Sequence, residues 1–127
     1  MLWKVKGAYL FHKPVDPIEL GIPDYLQIIK NPMDFSTIKR KLSNNLYTNF
    51  KQFTEDIGLV FDNCYLYNGA NSSVGLACTL VKNEYQKLYE QMGMEKFLWF
   101  FNKENKNAII ILNINNYSYY YFLIIKV

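Results

Sequence analysis

The feature that most restricts the fold of this chain is a segment, residues 9–32, that combines helix breakers with apolar side chains. Its breakers are Pro14, Pro17, Gly21, Pro23 and Pro32. They exclude a long helix there. Its apolar residues are Val15, Ile18, Leu20, Ile22, Tyr25, Leu26, Ile28 and Ile29. Long loops are normally polar unless they carry function, so we expect this one to pack on helices or to line a site.

Three helices are predicted after this segment. The first spans residues 34–42, with Asp34 as its N-cap and with Phe35, Ile38 and Leu42 at helical spacing. The second begins after Asn49, which forms a variant capping box with Gln52. Its apolar stripe is Phe50, Phe53, Ile57, Val60, Phe61, Cys64 and Tyr67. That three-four rhythm predicts a helix with one buried face.

The second helix is predicted to stop at Asn68-Gly69, a helix-end and turn signal. Caps at residues 71–73 then begin the third helix. Its predicted apolar stripe is Val74, Ala77, Leu80, Val81, Leu88 and Met92. Residues 97–101 could prolong this helix. The chain therefore reads as an all-α domain over residues 1–101, followed by a tail at residues 102–127 that is either a hairpin (residues 109–114 with 117–125) or disordered.

Composition and charge narrow the possible functions. With 127 residues, half of them hydrophobic, one domain with one core is expected. Cys64, Cys78 and the single His12 are too few for a zinc site, so we expect buried, reduced thiols and no cofactor. Residues 9–92 hold eight Lys or Arg against nine Asp or Glu. This charge of −1 argues against direct nucleic-acid binding and suits a basic peptide.

Neither membrane insertion nor catalysis is expected. No signal peptide is visible at the N-terminus, and polar residues interrupt the apolar tail at Asn113, Asn115, Asn116 and Ser118. The serines lack a nucleophile-elbow context. Asp16 and Asp24 lie in a proline-rich loop, where aspartates cap turns. The chain is therefore not expected to be an enzyme.

Two fragments carry a family resemblance. They are PVDPIELGIPDYLQIIKNPMDFSTIKRKL at residues 14–42 and FDNCYLYNGANSSV at residues 61–74. In this order and at this separation they resemble the bromodomain family, and the likeness extends over residues 9–92. The loop looks most like those of CREB-binding-protein and BET bromodomains. The resemblance implies a left-handed four-helix bundle that reads acetylated lysine.

Three features depart from the family pattern. Residues 1–4 match only the last turns of the family's first helix, so we expect that helix to be truncated. The shelf in front of the pocket is Tyr9-Leu10-Phe11, where BET readers have Trp-Pro-Phe. Nothing in the family resembles the tail beyond about residue 102.

The resemblance also implies a ligand site. Asn68 matches the asparagine that hydrogen-bonds the acetyl amide, and Tyr25 matches the tyrosine that reaches the same carbonyl through water. The remaining implied pocket residues are Phe11, Val15, Leu20, Ile22, Cys64, Tyr67 and the gate Val74, with Tyr9 and Leu10 as the shelf. No carboxylate is expected beside the ligand. The implied partners are acetylated histone tails and other chromatin proteins, in the nucleus.

Two alternatives stay open at this point. The bundle could serve as a protein-interaction scaffold that does not bind acetyl-lysine. It could also be a fragment of a larger chromatin enzyme, such as an acetyltransferase, although no acetyl-CoA site is visible in the sequence. A membrane role for the tail ranks last.

Overall fold

The structure is a computed structural model that describes residues 2–92, without the side chains of Trp3, Phe50, Gln91 and Met92. This part of the chain is all helical and has no strand. Its α-helices are α1 (Tyr25–Ile28), α2 (Phe35–Ser43), α3 (Phe50–Asn68) and α4 (Ser73–Met92). The predicted all-α bundle is thereby confirmed. The predictions for residues 97–101 and for the tail lie outside the described residues.

The predicted caps set the helix boundaries. The Asp34 carboxylate accepts from the Thr37 N–H at 3.1 Å, and Asn49 Oδ1 accepts from the Gln52 N–H at 2.9 Å. The reciprocal bond of the capping box goes to the residue before the cap: Gln52 Oε1 accepts from the Thr48 N–H at 2.8 Å. These caps satisfy N–H groups that have no partner inside a helix. The start of α4 is capped by Ser72, whose Oγ accepts from the Gly75 N–H at 2.9 Å.

The segment that precedes α1 adds two 3-10 turns, Leu2–Lys4 and Ala8–Phe11. Leu2 and Ala8 are both buried in the core. Gly7, which has a φ of 89°, packs so closely on α4 that a Cβ there would lie 2.9 Å from the Cβ of Ala77. Glycine is therefore required where this segment crosses the helix. Of the residues expected to match the end of the family's first helix, Leu2–Lys4 form a single 3-10 turn that contacts α4.

The core fills the space between α2, α3, α4 and the first 3-10 turns. Its centre is a triad of rings, Phe11, Phe35 and Phe61, whose centroids lie 6.0–6.4 Å apart in edge-to-face contacts. The predicted stripe of α3 is buried at Phe53, Ile57, Val60, Phe61 and Cys64. A polar link between α2 and α3 lies beside the core, where Asp56 accepts from both Lys41 and Tyr47.

One part of the predicted α4 stripe is wrong. Leu80 is 52% exposed, whereas Cys78 and Val81 are fully buried. Tyr85 and Tyr89, which were not in the predicted stripe, pack on the core. The buried face of α4 therefore follows positions 74, 78, 81 and 85, and Leu80 lies to one side of that line.

Candidate ligand pocket

A cavity of about 270 Å³ opens between residues 10–34 and residues 60–74, which cover the C-terminal half of α3 and the start of α4. Its walls are mainly apolar and come from two stretches of the chain. They are formed by Leu10, Phe11, Lys13, Val15, Leu20, Ile22, Tyr25, Met33, Asp34, Val60, Cys64, Tyr67, Asn68 and Val74. A concave, largely apolar site with a few polar groups is the usual form of a small-ligand pocket.

Asn68 is the last residue of α3, and its side chain is exposed at the cavity wall. Its Nδ2 donates to the Cys64 carbonyl oxygen at 3.0 Å, which fixes the orientation of the amide. An asparagine amide has two N–H donors and an acceptor oxygen. Nδ2 also contacts Cys64 Sγ at 3.9 Å, a long contact to a weak acceptor, so the oxygen and this weakly held donor can serve a ligand. Gly69 ends the helix with a φ of 81° and donates its N–H to the Tyr65 carbonyl oxygen at 2.8 Å.

Tyr25 begins α1 and is buried, with 6% of its surface exposed. Its ring meets the ring of Tyr67 edge to face, with centroids 5.0 Å apart. Burial, and to a lesser degree the nearby Cys64 sulfur, raise the pKa of the Tyr25 hydroxyl. The group therefore stays protonated at neutral pH and remains able to donate a hydrogen bond.

Two hydrogen bonds attach the pocket loop to α3. The Tyr67 hydroxyl donates to Asp24 Oδ1 at 2.7 Å, and this bond raises the pKa of Tyr67. Asn63 Nδ2 donates to the Asn31 carbonyl oxygen at 2.8 Å. Because these bonds join residues 43 and 32 positions apart, they hold the loop over the helix face that carries Asn68.

The two loop aspartates differ in role. Asp16 caps a turn as predicted, since its Oδ1 accepts from the N–H groups of Ile18 at 2.9 Å and Glu19 at 3.1 Å. The same prediction is wrong for Asp24, whose side chain makes no cap hydrogen bond. It accepts instead from the Tyr67 hydroxyl, and it therefore connects the loop to α3.

The nine residues predicted to form the pocket all line this one cavity, as does the shelf residue Leu10. Tyr9, the other shelf residue, is 70% exposed and is not part of the lining. The sequence analysis missed Lys13, Met33, Asp34 and Val60. Val60 lies one helical turn before Cys64, so its position on the same face was the available signal.

The expectation that no carboxylate borders the ligand is wrong, because Asp34 lines the cavity. This carboxylate is buried, and it accepts from the hydroxyls of Ser36 and Thr37 and from the Thr37 N–H. Its oxygens are therefore directed at the start of α2. A carboxylate engaged in this way is a weaker partner for an incoming cation, because three of its roughly four lone-pair sites are already used.

Within residues 2–92, no three His, Cys, Asp or Glu side chains group closely enough to hold a metal ion. Helices in the same part of the chain are all too short or too polar to cross a membrane. The polar groups of the cavity are thus an amide, two phenols, a thiol, an engaged carboxylate and the ammonium of Lys13. This set can bind a neutral polar group by hydrogen bonds.

Comparison with known proteins agrees with this arrangement. The bromodomain family model matches residues 1–80, and the chain belongs to the bromodomain family. A relative in Schizosaccharomyces pombe (strain 972 / ATCC 24843), the SWR1 complex bromodomain subunit bdf1, is 41% identical over 91 residues. Those residues are 72% of this chain and 16% of the relative, so the chain spans about a sixth of that protein's length.

Proposed function

We propose that this chain binds acetylated lysine in histone tails, with Asn68 as the anchor of the acetyl amide. One observation carries the proposal: a primary amide, fixed by its bond to the Cys64 carbonyl, lies at the wall of a mainly apolar cavity. Its oxygen is available, and its second donor makes only a long contact with the Cys64 sulfur. Membership of the bromodomain family supports the same function.

The acetyl group converts the lysine ammonium into a neutral secondary amide. Asn68 can donate one N–H to the acetyl carbonyl oxygen and can accept from the amide N–H through its own oxygen. Tyr25, kept protonated by burial, can donate to the acetyl carbonyl through an ordered water. Phe11 and Val74, both in the cavity wall, are suited to contact the methyl group and the methylene chain.

Selection against unmodified lysine follows from desolvation. A charged ammonium in this cavity would lose its water and would find no free carboxylate, since the oxygens of Asp34 are engaged by Ser36 and Thr37. Asp24 already accepts from Tyr67, and Lys13 adds a further positive charge to the wall. Burial of an unpaired charge is strongly unfavourable, whereas removal of a neutral amide from water costs much less free energy.

The expected attraction at one site is modest. One amide hydrogen bond contributes about 1 kcal/mol. Burial of ~100 Å² of apolar surface adds about 2.5 kcal/mol. A total of about 3.5 kcal/mol corresponds to a Kd of about 3 mM. We therefore propose that contacts with residues beside the acetyl-lysine, or further binding modules, contribute to recognition in the cell.

The proposed partners and location follow from this function. We propose that the chain acts in the nucleus with other chromatin proteins, as a binding module and not as a catalyst. Support comes from the relative named as a bromodomain subunit of the SWR1 complex.

The test is a calorimetric titration of the folded 127-residue chain with one histone-tail peptide, in its acetylated and its unmodified form. Binding should be specific to the acetylated peptide. Asn68→Ala should weaken it by about 1–3 kcal/mol, because the acetyl carbonyl is left without its donor. That loss is roughly 5- to 160-fold in Kd.

Asn83→Ala is the matched control. Asn83 is an exposed asparagine in the middle of α4 and does not line the cavity, so its replacement should leave the Kd unchanged. Circular dichroism would establish that both variants are folded. A folded chain that binds both peptides equally, or that binds neither, would refute acetyl-lysine recognition and favour the scaffold function.

A further inference from the structure

The two cysteines of the chain face each other across the interface of α3 and α4. Cys64 Sγ lies 3.9 Å from the Val74 carbonyl oxygen of α4, and Cys78 Sγ lies 3.9 Å from the Phe61 carbonyl oxygen of α3. Each thiol is thus directed at the opposite helix, which places the two sulfurs on facing sides of the same helix interface. Both are free, so the pair is a dithiol.

The ligand cavity gives access to this pair. Cys64 lines the cavity and has 6% of its surface exposed, whereas Cys78 behind it is fully buried. A small neutral molecule that enters the cavity therefore contacts the Cys64 sulfur first. Asn68 Nδ2 lies 3.9 Å from that sulfur and can stabilise negative charge on it.

The two thiols differ in acidity. The hydrogen bond with Cys78 lowers the pKa of Cys64, with help from Asn68 and against the effect of burial. The same bond, together with burial, raises the pKa of Cys78. The more acidic and more accessible thiol is the better nucleophile, since the thiolate is the reactive form. Cys64 is therefore the attacking thiol and Cys78 the resolving thiol.

We propose that Cys64 and Cys78 form a modification site, at which hydrogen peroxide oxidises the pair to an intramolecular disulfide between α3 and α4. The Cys64 thiolate attacks one peroxide oxygen, the O–O bond breaks, and the leaving hydroxide takes up a proton to become water. Cys64 is then a sulfenic acid. The Cys78 sulfur attacks Cys64 Sγ, the S–O bond breaks, and hydroxide leaves with the Cys78 proton as a second water.

The balance is one hydrogen peroxide and two thiols giving one disulfide and two waters. The sulfurs lose two electrons and the peroxide gains them. The disulfide encloses the 69–72 turn that follows Asn68, so it would fix the helical hairpin that carries the cavity wall. The site does not depend on acetyl-lysine binding, and its test therefore needs no peptide.

The experiment treats the reduced 127-residue chain with a small excess of hydrogen peroxide, then measures intact mass and counts free thiols by alkylation. The folded chain should lose two hydrogen atoms and both thiols together, a peptide map should join Cys64 to Cys78, and dithiothreitol should reverse the change. The same chain unfolded in urea should form the disulfide several-fold more slowly, because the thiols are then no longer held together.

Two variants separate the roles of the thiols. Cys78→Ala should stop at a sulfenic acid on Cys64 that dimedone traps, whereas Cys64→Ala should leave Cys78 unmodified in the folded protein. The wild-type measurement decides the matter even where a variant fails to fold. A gain of oxygen without the disulfide, a disulfide only between two chains, or equal rates in folded and unfolded samples would overturn the proposal.

Discussion

The polar side chains around the cavity are held by hydrogen bonds that leave them few rotamers. Asn68 is fixed by the Cys64 carbonyl, Tyr67 by Asp24, and the loop beside them by the bond from Asn63 to the Asn31 carbonyl. Groups that are already oriented lose little entropy when a ligand binds, so each bond to the ligand contributes more to affinity.

A single hydroxyl can test this arrangement. Tyr25→Phe keeps the edge-to-face contact with Tyr67 but removes the proposed donor to the bridging water. Affinity for the acetylated peptide should fall by about 0.5–1.5 kcal/mol, the net contribution of one hydrogen bond. This is roughly 2- to 13-fold in Kd, which calorimetry resolves.

Tyr65→Phe serves as the control because the Tyr65 hydroxyl pairs with Thr79 at 2.8 Å and Tyr65 does not line the cavity. Its Kd should equal that of the unmodified chain. Equal losses in both variants would show that the Tyr25 hydroxyl has no special role.

At the level of helices and turns, the two glycines of α3 and α4 should respond oppositely to alanine. A Cβ at Gly75 would overlap the carbonyl oxygens of Gly69 and Ala70, whereas a Cβ at Gly58 meets nothing within 4 Å. Gly58→Ala should stabilise the chain by roughly 0.5–1 kcal/mol, since glycine is a poor helix former.

Gly75→Ala should instead lower the free energy of unfolding by about 1–3 kcal/mol, because the turn after Asn68 must move to admit the methyl group. Urea denaturation of both variants measures the two effects. Gly75→Ala should also weaken peptide binding, whereas Gly58→Ala should not. A stabilised Gly75→Ala variant would contradict the close packing of this turn.

The sequence was most informative about these elements where the signal is local. Asp34 and Asn49 cap N–H groups three residues away, so chain neighbours alone predict the starts of α2 and α3. The role of Asp24 could not be predicted in this way, because its partner Tyr67 lies 43 residues further along the chain. The exposure of Leu80 could not be predicted either, because helical spacing does not determine which neighbours cover each position.

The pocket residues were found through family resemblance, not through periodicity. Helical spacing places Cys64 and Tyr67 on the core face of α3, but it cannot tell a core position from a cavity wall. The same limitation explains why Val60 and Met33 were missed, since both look like ordinary core residues in the sequence. Asp34 was understood only as a cap, and the structure shows that a cap can also border the cavity.

At the scale of the whole molecule, buried tyrosines make stability sensitive to alkaline pH. Burial is the main cause that raises the pKa of Tyr47 and Tyr85, with contributions from Asp56 and Tyr89, respectively. In the unfolded chain these phenols titrate near pH 10. Above that pH the folded chain therefore holds more protons than the unfolded chain, and stability must fall as pH rises.

Thermal unfolding at several pH values between 7 and 11 would measure this effect. Tm should fall progressively above about pH 10. Tyr85→Phe has no phenol to titrate at this position and should lose less Tm over the same interval. Tyr9→Phe, which alters an exposed tyrosine, should follow the unmodified chain. An unchanged slope in Tyr85→Phe would show that this residue does not contribute.

The cavity walls come from residues 10–34 and 60–74, two stretches that meet only when the chain is folded. A molecule that fills the cavity therefore has no comparable site on the unfolded chain. Occupancy and folding are thus linked equilibria, and a ligand at a hundred times its Kd would add about 2.7 kcal/mol to the free energy of unfolding. The fraction of chains exposed to proteases would fall accordingly, so the amount of surviving protein would itself report whether its ligand is present.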